Sequence, residues 1–220
     1  FINPDPSLGQ RIAEKGTDFR RVAVAAGHES WKHLAGIEAS LGRLVTKTSG
    51  IYVGQHSLPM MQLTRGEAYS MERERLLACR DYVCPDMGYE DFVAWSRRYG
   101  RLFADVHCWM EHYRLFDVVI GPRIHGVMLA LQAGIPGICI AHDSRTQELC
   151  EVMKVPYVLA SDIPDGVDLS MLTDLFNFDA NDFDRNRAHL ARRYTGFLES
   201  NELQPVSWLK SLEETEQLDP

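Results

Sequence analysis

The sequence predicts an α/β fold, a doubly wound and mostly parallel sheet of the Rossmann-like kind, on three observations. Short apolar runs alternate with stretches of helical period along most of the 220 residues. The runs at 117–121 and 135–141 are continuously apolar, as strands covered on both faces require. Polar and cationic residues gather directly after the runs, at the sheet edge where open parallel sheets bind ligands.

Taken in order, RVAVAA (21–26) reads as a buried strand, and Ser30 is placed to cap a helix over 31–44. GIYVG (50–54) is a second strand. Residues 59–82 read as helical with Met60, Met61, Leu63, Met71, Leu76 and Leu77 on the apolar side, and the Met-rich part as core. A long helical stretch, in one or two pieces, runs from Tyr89 to Phe116. DVVIG (117–121) is the third strand, followed by a helix at 125–133. IPGICIA (135–141) is the fourth strand, 143–155 a helix and PYVLA (156–160) a fifth strand. Helices near 168–176 and 180–199 close a single domain over 1–212, and 213–220 reads as a loose acidic tail.

The net charge of −8 and the lack of a dense Lys/Arg block disfavour nonspecific binding to nucleic acid or anionic membranes, although a local basic pocket stays open. The five cysteines form no CxxC pair and are odd in number; Cys139 and Cys150 read as buried thiols of a reducing cytoplasm. No apolar run approaches the ~18 residues of a membrane span, and no secretory leader is apparent. The chain starts at Phe1 without an initiator Met, so the expectation is a segment of something longer.

The residues after each strand form a set: Gly27-His28-Glu29-Ser30, Gln55-His56-Ser57, Gly121-Pro122-Arg123-Ile124-His125 and His142-Asp143-Ser144-Arg145. Arg123 and His125 precede a helix whose free N–H groups and dipole favour an anion. Arg123 adds a planar fork for a carboxylate or phosphate, and His125 a group that donates or moves a proton near neutral pH. Gly126 leaves room for a ligand or a strand at the helix start. Ser144 reads as a helix cap with Arg145 as a second cation beside it. The implied site takes a small anion beside groups able to hydrogen-bond a polyol, with His28, His56 and Arg145 facing the same cleft as Arg123 and His125. Structural readings stand next to it: Arg123 pairing with Asp117 or Asp143, strand-end histidines as caps, and Glu29 as a first-turn helix residue rather than a base.

Other candidates are weaker. Cys108 and His112 are spaced i,i+4 with no second pair to complete a metal site, so no metal is expected. Arg185, Arg187, Arg192 and Arg193 read as a solvated helix face. GxGxxG, GxxxxGK[ST] and GxSxG are all missing, which argues against standard dinucleotide, P-loop and serine-hydrolase sites.

DVVIGPRIHGVMLALQAGIPGICIAHDSRTQELCEVMKVPYV (117–158) resembles the C-terminal part of the polysaccharide pyruvyl transferase family. Members show a strand, R-[LI]-H-[GA], an apolar helix and G-[IV]-P before the next strand. FINPDPSLG (1–9) and GIYVGQHSLPMMQLTRGE (50–67) are similar to its divergent bacterial members. The resemblance implies one lobe of a two-lobed, GT-B type transferase that moves pyruvyl from phosphoenolpyruvate to a saccharide, free of other cofactors, in surface-polysaccharide synthesis. It maps the motif's Arg and His onto Arg123 and His125, which would bind the donor phosphate or carboxylate, with His125 protonating the enol carbon. Ser144, Arg145, His28, His56 and Gly126 would line the substrate site, and the acceptor would be a free, lipid-linked or nucleotide-linked sugar. The sequence departs from many members in carrying His142-Asp143-Ser144-Arg145 where they have a Tyr and a Lys. An N-terminal lobe is expected to be missing, so the isolated domain would be inactive if the site lies between lobes. The implied location is the cytoplasm or the inner-membrane periphery. Two rivals remain: a glycosyltransferase using a nucleotide-sugar donor, and a noncatalytic sugar-binding domain.

Overall fold

A computed structural model describes residues 3–16, 18–55 and 57–214. Six parallel strands form one sheet in the order β3-β2-β1-β4-β5-β6. They are β1 (Val22–Ala25), β2 (Ile51–Val53), β3 (Gly100–Arg101), β4 (Val118–Gly121), β5 (Gly137–Ala141) and β6 (Tyr157–Leu159). The chain builds outward from β1 to one edge, returns to lay β4 against the other side of β1, and builds to the opposite edge. This is the doubly wound Rossmann-like order, with its switch point between β1 and β4.

Alternation along the strands separates two cores. Val22, Val24, Val118, Ile120, Ile138 and Ile140 face α2 (Ala35–Thr48), α3 (Leu58–Thr64), α4 (Arg73–Val83) and α5 (Tyr89–Tyr99). Ala23, Ala25, Val119 and Cys139 face α1 (Leu8–Lys15), α6 (Val106–Tyr113), α7 (Ile124–Gln132), α8 (Ser144–Met153) and α10 (Ala180–Ser200). The helix α9 (Leu172–Leu175) closes the first face, and α11 (Ser207–Glu214) packs on α10. The crossovers follow the chain: the helices that link β1 to β2 and β2 to β3 cover one face, those that link β3 to β4, β4 to β5 and β5 to β6 the other, while α1 and α9 each pack on the face opposite to that of their half.

The pairing at the switch point is unusually close. A Cβ on Gly121 would stand 2.2 Å from the Ala25 carbonyl oxygen, with φ at +156°. Only glycine lets the end of β4 lie against β1 in this way.

Several boundaries differ from the sequence reading. The stretch expected as one or two helices over 89–116 is divided by β3, a two-residue strand too short to leave a run of its own. The helical stretch over 59–82 is α3 and α4 separated by a 3-10 turn at Ala68–Ser70; Met60 is core, but Met61 is exposed. Ser30 does not cap α2, which starts at Ala35 behind a 3-10 turn, Lys32–Leu34. Its hydroxyl instead lies 2.9 Å from His28 Nδ1. Ser144 is the first residue of α8 and not its cap; Asp143 caps, accepting from the Thr146 N–H at 2.7 Å. A loose tail is expected from 213, yet Glu213 lies in the last turn of α11 and its carboxylate accepts from the Thr195 hydroxyl. Residues 215–220 of that expected tail lie outside the described residues.

Arg187 leaves the solvated face it was assigned to. Buried in α10, it donates to the carbonyls of Asp5 at 2.8 Å and Asn3 at 2.5 Å, and sits 3.3 Å from Asp184. Asp184 in turn accepts the Gly9 N–H at 2.8 Å. Arg187 thus ties the first described residues to the last long helix. Replacing it with Leu leaves two carbonyls without this donor and a half-buried carboxylate without its cation. Arg187→Leu should therefore lower unfolding stability by about 3 kcal/mol, read as a lower urea midpoint.

Candidate functional site

The loops after β1 and β4 leave the sheet toward opposite faces, so the crevice between them collects side chains from both halves of the chain. From the β4 side, Arg123 occupies the N-cap position of α7 with extended backbone, and its carbonyl accepts from Gly126 and Val127. From the β1 side comes Trp31. The Arg123 guanidinium carbon stands 4.6 Å from the centroid of the Trp31 ring, a cation–π distance. His142, at the end of β5, packs on the same indole at 4.2 Å, and His28 approaches it at 6.0 Å. His33 lies 5.9 Å from His142 at the outer rim.

Arg123 has neither of the partners the sequence offered. Asp117 accepts the backbone N–H groups of Arg20 and Arg21, at 2.8 and 2.7 Å, and Asp143 is occupied as the cap of α8. Among the described residues no carboxylate forms an ion pair with Arg123, and its buried Nε has no acceptor. Burial lowers its pKa, opposed by the charge of Tyr82, Glu38 and Glu29. A cation held by an aromatic plate without a carboxylate is suited to an anionic ligand.

The floor of the crevice holds Glu38. It is fully buried on α2, and its Oε1 accepts the Gly27 N–H at 3.1 Å and the Tyr52 hydroxyl. Its Oε2 and the Tyr82 hydroxyl lie 2.6 and 2.8 Å from the point where a Cβ on Gly27 would stand. Any side chain at Gly27 would therefore break into the cluster. Burial pushes the Glu38 carboxyl up to about 7, with the bonds from Tyr52 and Gly27, Tyr82 and the Arg123 charge pulling the other way. His142 is moved down by burial, and by the neighbouring His33 and Arg123, against the pull of Asp143. It is thereby kept neutral near physiological pH.

On the β2 side, the Ser57 hydroxyl donates to Glu29 Oε2 at 2.6 Å and accepts the Met60 N–H at the start of α3. Glu29 Oε2 is also 3.4 Å from His28 Nδ1. Glu29 thus lies in the turn ahead of the helix and joins the loops of β1 and β2, which differs from the first-turn helix position expected of it. Ser57 has φ of +67°, a strained value for a residue with a side chain.

The structure gathers some of the expected residues and separates others. Arg123 and His28 share the Trp31 cluster. His125 is exposed on the first turn of α7 and lines a different space, an apolar groove of about 550 Å³ with Met128, Leu129, Met153, Leu190 and Tyr194. Arg145 and Ser144 are exposed on α8; Arg145 acts on Asp143 through its charge and makes no ring or ion-pair contact with the cluster. The room expected beside Gly126 is filled, since a Cβ there would meet Gln55 Nε2 at 2.6 Å and Ala25 Cβ at 2.9 Å. Of the two occupants expected there, a ligand or a strand, it is the strand: Gly126 brings α7 close to β1. His56 lies outside the described residues. Cys108 is exposed, His112 packs on Phe103, and among the described residues no His, Cys, Asp and Glu cluster of three or more is placed to hold a metal.

Trp31, Glu38, Tyr52 and Tyr82 were not picked out from the sequence. Glu38 did carry a signal: it falls on the apolar stripe of its helix with Ile37, Leu41 and Val45, where a carboxylate has no solvent to reach.

The fold and this crevice define a class: a Rossmann-like α/β protein with an aromatic-backed arginine at the switch point of its sheet. A family model described as polysaccharide pyruvyl transferase matches residues 4–144, and the chain belongs to that family. The matched region runs from ahead of α1 to the start of α8 and includes Trp31, Glu38 and the Arg123–His125 motif. Comparisons with curated proteins and with solved structures gave no match. Among the described residues no helix is long and apolar enough to cross a membrane.

Ionisation of Glu38 should be visible in stability. Its pKa rises from 4.5 to about 7 on folding, so the folded state holds the proton more tightly. The penalty is absent below the unfolded value, grows as pH rises and is complete above the folded one. Glu38→Gln removes it and keeps an acceptor for Gly27. The variant should gain on wild type by about 3 kcal/mol in chemical unfolding between about pH 5 and pH 8. A gap that does not change with pH would show that Glu38 is ionised throughout.

Proposed function

We propose that the crevice between β1 and β4 binds phosphoenolpyruvate and that the chain is the donor-binding part of a pyruvyl transferase acting on a saccharide. The observation that carries this reading is Arg123: unpaired, held over Trp31, at the start of α7 and within the R-I-H-G motif of the family. Its fork and the free N–H groups of α7 suit the donor's carboxylate or phosphate. His142 and His28 stand beside the same indole as hydrogen-bonding groups for that anion or for sugar hydroxyls.

In this reading the enol C3 of the donor takes a proton, which leaves C2 electron-poor. One sugar hydroxyl oxygen attacks C2. A second hydroxyl of the same sugar then displaces phosphate, closing a cyclic ketal and releasing inorganic phosphate. Of the two hydroxyl protons, one balances that delivered to C3 and the other leaves with phosphate. The resemblance implies His125 as the donor of the C3 proton; His125 lines the apolar groove with Met128 and Leu129 and makes no ring contact with Trp31. Donor binding and proton delivery are then divided between two sides of one helix terminus. The acceptor, a free, lipid-linked or nucleotide-linked sugar of a surface polysaccharide, and a cytoplasmic or membrane-peripheral setting belong to the same proposal.

Titration calorimetry with phosphoenolpyruvate, against a panel of nucleotide sugars, tests it. Saturable phosphoenolpyruvate binding should weaken by about 100-fold in Arg123→Ala and by about 5-fold in Trp31→Ala, with Trp31→Phe close to wild type. Preference for a nucleotide sugar would sink the reading in favour of a glycosyltransferase. His125→Gln should leave donor affinity unchanged and lower turnover.

A further inference from the structure

We infer that Glu38 is a proton-linked positioning residue for the anion held by Arg123, so that the affinity of the crevice is set by whether this buried carboxyl carries its proton. The inference rests on the reading that the crevice takes a phosphoenolpyruvate-like anion.

The geometry gives Glu38 two tasks. Its Oε1 holds the Gly27 N–H and the Tyr52 hydroxyl, which fixes the turn where β1 leaves the sheet toward His28 and Trp31. Its Oε2 faces Gly27 and Tyr82 and is closed to solvent. No described cation forms an ion pair with it. Among the described residues Arg123 is the cation that acts on it, through charge and not through a hydrogen bond. The charge of Arg123 therefore acts on Glu38 and is also open to a ligand.

With Glu38 neutral, the whole field of Arg123 is available to the anion. With Glu38 ionised, a buried negative charge acts on the guanidinium and repels the ligand. An anion bound over Trp31 must then raise the proton affinity of Glu38, and by linkage the proton raises anion affinity by the same factor.

The surrounding groups do not replace it in this role. Tyr52 on β2 and Tyr82 on α4 are both driven far up by burial and by Glu38, so they stay protonated. Cys84, which faces Tyr52, is pushed up to about 12 by burial. Glu29 acts on Tyr82 and Arg123 from the β1 loop, and His142 and His33 sit on the outer side of Trp31. Both histidines are present in wild type and variant, so comparing the two isolates Glu38.

The test measures dissociation constants for phosphoenolpyruvate and inorganic phosphate on this chain and on Glu38→Gln, from about pH 6 to about pH 8. Gln keeps the acceptor for Gly27 and cannot ionise. Wild-type affinity should fall across that range by about 10-fold more than that of the variant, within the ~5–150-fold range of coupled sites. Calorimetry of the wild type in buffers of different ionisation enthalpy gives a second readout that needs no variant: proton uptake on binding near pH 7, larger than in Glu38→Gln wherever the variant folds. Equal slopes and equal uptake in the two proteins would overturn the inference and leave the donor reading standing. Binding of inorganic phosphate with the predicted slope, but none of phosphoenolpyruvate, would keep the linkage and remove the donor. No binding of either anion at any pH would overturn both.

Discussion

The contact between the ends of β1 and β4 is the constraint on which the rest of the molecule depends. Gly121 lies so close to the Ala25 carbonyl that nothing larger fits, and the two strands that share this contact belong to different halves of the chain. Because each half sends its crossovers to its own face, the loops leaving β1 and β4 must part there. The crevice is a product of that parting. It is lined by Trp31 from one loop and Arg123 from the other, two residues distant in sequence and joined only by winding. Gly27 and Gly126 extend the same close packing to the crevice floor and to the start of α7.

Much of the architecture was legible because its signals are local. Continuous apolar runs fit strands buried on both faces, and five of the six strands fall where such runs occur. β3 escaped because two residues make no periodicity. Its place is decided by pairing with β2, a long-range event. Helix starts were missed for a related reason: Ser30 has the right chemistry for a cap, yet its hydroxyl goes to His28, and Asp143 rather than Ser144 takes the cap of α8. Arg187 looked like one more surface cation, and only the folded chain brings the carbonyls of Asn3 and Asp5 to it.

The site was legible in outline and not in membership. Reading the strand ends as one edge located Arg123, His28 and His142 correctly in space, since sheet topology alone places them. Which way each side chain turns was beyond that rule. Arg123 caps α7 and leans over Trp31, whereas His125, two residues later on the same helical turn, lies along an apolar groove. Arg123 sits at the N-cap with extended backbone and His125 on the first helical turn, so the two side chains leave the chain from different backbone geometries and R-x-H spacing alone does not tell which surface each reaches. Trp31 and the buried tyrosines were missed because aromatic residues are ordinarily core, and nothing local separates a plate under a cation from a packing residue. The cluster is held by rings and one buried carboxyl.

The two margins of the sheet carry a consequence of a different kind. Exposed strand edges are templates on which other chains can zip, and proteins guard them by keeping them short or covered. Here one margin is β3, two residues long, with the guanidinium of Arg101 turned back onto the carbonyls of Gly100 and Arg98. The other is β6, three half-buried residues that run straight into a 3-10 turn at Ala160–Asp162. Neither offers a partner more than a few backbone bonds, so the most hydrophobic layer of this protein is also the one least able to recruit its own copies into an aggregate.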